Sequence, residues 1–134
     1  MKKLITLLFI SVVAPLANAS QPCALDVAQL LADKKIPEAA AKFVGNRVTA
    51  EDGIRSLIEK IGSLTNIQLV TKPAFEQHRR ISTVASGLPE KYDHLGYWVD
   101  ATSSKLGPVQ IFIAAKAGEQ CQLYAVHIDA PLKK

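Results

Sequence analysis

The chain has 134 residues, 49% hydrophobic and 21% charged, with 7 Gly and 7 Pro, an ordinary globular composition that predicts one domain and excludes disordered, collagen-like and helical-repeat classes. The formal charge is +4, but setting aside Lys2 and Lys3 leaves 14 basic against 12 acidic side chains, a net of +2. That excess is too small and too evenly spread to mark nucleic acid or an anionic membrane surface as the partner.

Met1 to Ala19 reads as a secretory signal peptide. It has a basic start (Lys2, Lys3), an apolar run from Leu4 to Ala14, and Ala-Asn-Ala at positions 17 to 19, which predicts cleavage after Ala19 and a domain over residues 20–134. The apolar run is about half of the roughly 20 residues that a bilayer span requires, and Pro15 follows it, so a stable membrane anchor is not expected. Ser20, Gln21 and Pro22 precede Cys23 where a lipoprotein signal would place small apolar residues. The expected address is therefore the periplasm, or the exterior.

Cys23 and Cys121 are the two cysteines of the chain. In an oxidising compartment such a pair is expected to form a disulfide, here closing most of the domain into one loop. Chain entropy assigns a loop of that size about 4 to 5 kcal/mol. A redox centre favours Cys-x-x-Cys and a metal site needs clustered ligands, and the sequence spacing shows neither.

Along the rest of the chain, Leu25, Ala28, Leu31 and Ala32 predict a helix over 24–34, and Pro37 opens a short second one through Val44. Thr49 is read as the N-cap of a third helix, with Glu51 and Asp52 in its first turn; Ile54, Leu57, Ile58 and Ile61 form its apolar stripe and Gly62 its end. Strand character follows at 67–71 and 80–86, with Pro73 between them and a Gly-Leu-Pro turn over 87–93. Three longer strands are predicted over 94–102, 109–115 and 120–129, joined by short polar connections that suit antiparallel hairpins. Helices first and antiparallel strands second predict an α+β domain, with helices packed on one face of a curved sheet. Alternation places Cys121, Leu123, Ala125 and His127 on one face of the last strand; if Cys121 reaches Cys23, His127 also faces the helices unless a bulge intervenes.

This layout resembles the NTF2-like (cystatin-like) superfamily, closest to small exported domains of that kind. The matching segments are Ile61-Gly62-Ser63-Leu64, Gly96-Tyr97-Trp98-Val99 and Leu123-Tyr124-Ala125-Val126-His127-Ile128. The resemblance spans about residues 24 to 129. It implies a cone-shaped domain that in some members is a pocket enzyme and in others only binds, so it transfers no catalytic set.

The candidate ligand or partner residues are His94, Tyr97, Trp98 and His127, with Asp93, Asp100 and Asp129 as nearby carboxylates. A general base in a cavity would combine a shielded His or carboxylate with a donor such as Tyr, but Asp129 at a strand end is expected to be solvated. Trp98 shares parity with His94 and Asp100, which suits a pocket wall as well as packing on the helices. His78-Arg79-Arg80 suits an anionic group or a solvated strand entrance. No Gly-rich phosphate loop, nucleophile elbow or His-Glu-x-x-His stands in the chain, so no catalytic residue, metal or cofactor is assigned. The expected function is a non-enzymatic exported domain that recognises a protein, such as an envelope component or a toxin, with a homodimer through the sheet face as a further expectation. The alternative is an NTF2-like pocket protein for a small hydrophobic ligand.

Overall fold

The computed structural model describes residues 20–86, 94–116 and 121–132. The predicted signal peptide, the turn over 87–93 and most of the connection after Lys116 lie outside the described residues. Among the described residues the protein is α+β: helices α1 (Ser20–Ala32), α2 (Ile36–Ala40) and α3 (Arg47–Ile61), then strands β1 (Leu64–Val70), β2 (His78–Ala85), β3 (His94–Ser103), β4 (Gly107–Lys116) and β5 (Leu123–Pro131).

Helix α1 buries Cys23, Ala24, Val27, Ala28 and Leu31, a stripe that recurs every three or four residues. Leu25 falls off that stripe and is exposed, contrary to its predicted place on the apolar side. Helix α3 buries Ala50, Ile54, Leu57, Ile58 and Ile61, as its pattern predicts. Its start differs from the prediction. Asn46 is the N-cap, accepting a hydrogen bond from Thr49 N–H at 3.0 Å, so Thr49 is the capped residue and the helix begins a turn earlier. Gly62 closes the helix at φ +68°, a left-handed conformation that glycine adopts without a Cβ penalty. Beyond it, Ser103 Oγ donates to Ile61 O at 2.5 Å and Lys105 Nζ to Glu59 O at 2.6 Å. The turn between β3 and β4 thus satisfies carbonyls that a helix end leaves open.

The five strands form one antiparallel sheet in the order β1-β3-β4-β5-β2. One face carries the helices: α1 packs on β1, β3 and β4, α3 on β2, and α2 against both other helices. The core fills this side, where Leu31, Ile54, Leu57 and Ile61 cluster with Val99, Ile111, Ile113, Leu123 and Ile128, each 2% exposed or less. Burial of such a side chain contributes about 1.5 to 3 kcal/mol. The Cys23–Cys121 disulfide ties the first turns of α1 to the approach of β5, across 98 residues of sequence.

Parity along β5 changes once. Ala115 pairs with Leu123 and Ala114 with Ala125, so Tyr124 is an extra residue, a bulge that shifts the alternation by one. Leu123 before it and Val126, Ile128 and Ala130 after it all enter the core. His127 and Asp129 therefore turn away from the helices, which corrects the simple alternation that placed His127 inside. The bulge is held from outside: Val44 N–H donates to Leu123 O and Leu123 N–H to Lys42 O, and Val44 packs with Tyr124, Ala125 and Ala114.

Candidate functional site

On the sheet face opposite the helices, the pairing register aligns two rows across all five strands. The first runs Val70, Trp98, Phe112, His127, Thr83; the second runs Gln68, Asp100, Gln110, Asp129, Arg80. Directly opposed side chains on one face stand close enough to interact, and both rows do. The Trp98 and Phe112 rings are 5.3 Å apart at 53°, and Phe112 stacks on His127 at 5.9 Å and 14°. Thr83 Oγ1 lies 2.9 Å from His127 Nδ1. In the second row Gln110 Nε2 donates to Asp100 Oδ1 at 2.7 Å, and Arg80 Nε donates to Asp129 Oδ1. Asp129 also has His78 Nε2 at 3.8 Å, and its side chain is only 13% exposed.

A strap crosses this face. Strands β1 and β2 occupy opposite edges of the sheet, so the seven residues from Thr71 to Gln77 must traverse it. Gln110 holds them down: its Oε1 accepts from Ala74 N–H at 3.0 Å and its Nε2 donates to Lys72 O at 3.3 Å. Gln110 is consequently 4% exposed, a buried amide with its bonds made. Pro73 and Phe75 of the strap wall a cleft of about 230 Å³ whose floor is Trp98, Phe112, Gln110 and Asp129 and whose rim is His78 and Arg80.

The structure brings Trp98 and His127 together on this face, bridged by Phe112. Tyr97 is separated from them because it has the opposite parity and packs, half-buried, against the main core. His94 opens β3 across from Lys116, at the other end of the strand from the polar row; Asp93 lies outside the described residues. The run His78-Arg79-Arg80 is split by the pleat: Arg79 pairs with Ala130 on the core side, while His78 and Arg80 reach Asp129. Asp129, expected in solvent, is thereby the ion-pair partner of Arg80. Sequence reasoning missed Phe75, Gln110 and Phe112. The only signal for Phe112 was an aromatic among aliphatics on a strand apolar on both faces, and Gln110 was a polar interruption of that run.

Chemically, the site offers an aromatic floor for an apolar or planar group and a rim of hydrogen-bonding groups already engaged with one another. Among the described residues no group of three His, Cys, Asp or Glu is arranged to hold a metal ion. Compared with family models, with curated proteins and with solved structures, the chain matches none.

Proposed function

We propose that this protein is an exported, periplasmic or secreted binding domain that recognises a protein partner, an envelope component or a toxin, through the sheet face opposite its helices. The observation that carries the reading is the half-exposed row Trp98–Phe112–His127 under the Thr71–Gln77 strap. Aromatic and Arg side chains around a small desolvated pocket are the usual anchors of protein interfaces. The cleft of about 230 Å³ is smaller than the roughly 300 Å³ at which small-molecule pockets begin, and it fits one or two side chains of a partner. On the helix-covered side, where the NTF2-like resemblance would put a ligand cavity, the described residues Leu31, Ile54, Leu57, Ile61, Ile111 and Ile113 pack into one cluster and are each 2% exposed or less. That favours surface recognition over the small-ligand alternative. The disulfide supports export, since such bonds persist in oxidising compartments.

The test is crosslinked capture from a periplasmic extract by the oxidised protein, beside its Trp98→Ala and Arg80→Glu variants. Stoichiometric capture of one partner by the parent and its loss in both variants, with circular dichroism unchanged, is expected. Capture that survives both substitutions sinks the face as the recognition surface. Recovery of bait alone, together with a thermal shift from a hydrophobic carbonyl compound or sterol, would replace this reading by the small-ligand one.

A further inference from the structure

Strand β1 leaves the sheet before β3 does. β1 pairs with β3 only as far as Val70 opposite Trp98, whereas β3 pairs with β4 back to His94 opposite Lys116. Residues 94 to 97 therefore have no strand partner on their β1 side among the described residues. Along such a stretch alternate residues turn both N–H and C=O to the open side, and an open row of this kind is a template for another strand.

Three features distinguish this stretch from the outer margins of the sheet. The β3–β4 pairing is regular over its whole length, whereas β1 bulges between Thr65 and Gln68, with Asn66 at φ 55°, and β2 bulges between Arg80 and Ser82. Bulges twist an edge away from further pairing. Leu95, in the open stretch, is 41% exposed. A cleft of about 240 Å³ sits where β1 departs, between Leu69, Val70 and Thr71 on one side and Gly96, Tyr97 and Trp98 on the other.

We propose that an extended segment of a partner protein adds to the sheet as a strand along residues 94–97 of β3, continuing the line of β1. This rests on the protein-recognition reading above and specifies how the partner is held. Leu95 and Tyr97 share one face, so the partner residues opposite them are apolar; the residue opposite Gly96 meets the side bearing Trp98 and Phe112. Backbone bonds supply affinity and these alternate positions supply selectivity.

The experiment pans a phage library of random dodecapeptides on the purified oxidised protein and follows amide hydrogen exchange with the selected peptides. Enriched peptides with apolar residues at alternate positions are expected, slowing exchange of amides within 94–97 by about tenfold or more. Leu95→Lys, a charge on an exposed edge, is expected to weaken them by about tenfold or more, while the same charge at Val48, exposed on helix α3, leaves them unchanged. Peptides that bind without protecting 94–97 overturn the strand-addition proposal and leave face recognition standing. A library that yields no binder also overturns it, and face recognition is then judged by the capture test alone. Protection of 94–97 that grows with protein concentration would assign this edge to a second copy of the chain, and equally overturns it.

Discussion

Gly96 lies under the ring of Phe112: a Cβ built on Gly96 would approach both Cε1 and Cζ of that ring to 2.7 Å. The ring has little freedom to retreat, because it stands between Trp98 and His127 in the same row. The absence of a side chain at Gly96 thus leaves the room that the Phe112 ring occupies.

Gly96→Ala is accordingly expected to destabilise the fold by about 1 to 3 kcal/mol, the usual cost of overpacking, read from urea unfolding. Combined with Phe112→Leu, most of the Gly96→Ala loss should disappear, since contacting residues couple. Strictly additive losses would show that the ring is not what excludes a side chain there.

The disulfide closes a span of 98 residues, so the cysteine-free variant Cys23→Ala/Cys121→Ala is expected to lose about 4 to 5 kcal/mol by the chain-entropy account. Denaturant midpoints with and without reductant measure it. A loss below about 1 kcal/mol would mean that the unfolded chain is already compact without the bridge.

Helix α3 has one cap and one capped residue. Asn46→Ala removes the acceptor for Thr49 N–H and should cost about 1 kcal/mol, whereas Thr49→Ala should stay within about 0.5 kcal/mol. The reverse order in thermal unfolding would return the cap to Thr49.

Gln110→Leu removes both bonds that pin the strap, to Ala74 N–H and Lys72 O, and strips Asp100 of its donor. The partners left behind are the exposed strap backbone and the half-buried Asp100, so each lost hydrogen bond is expected to cost about 0.5 to 1.5 kcal/mol. Exchange at the Ala74 amide and proteolysis within 72–75 should both accelerate. Unchanged exchange there would show that Pro73 and Phe75 seat the strap without the glutamine.

Much of the fold was legible because its signals are local. The stripe Ile54, Leu57, Ile58, Ile61 and the glycine after it mark α3 within a residue at its end, since a 3.6-residue period needs only one buried face. β3 and β4 lie within a residue or two of their predicted bounds, and the two cysteines admit one internal pairing. The helix start was misplaced because Asn46, Thr49 and Asp52 all belong to residue types suited to a cap, and only the bond to Thr49 N–H selects among them.

The candidate site was less legible. Trp98 and His127 were visible as residue types, but their shared face depends on a single extra residue, Tyr124, in the β5 ladder. Phe75 and Gln110 gain their roles only because β2 pairs with β5 at the far edge and forces the intervening chain across the sheet.

The sequence by itself determined the order of elements, the α+β class, the buried faces of the helices and the cysteine pair, because each follows from periodicity or arithmetic along the chain. The tertiary structure alone decided the strand order, the side to which His127 turns, the Arg80–Asp129 pairing and the strap over Gln110. These depend on which distant strands share a ladder and in what register. One bulged residue reverses every inside-outside assignment beyond it, and no local pattern records that shift.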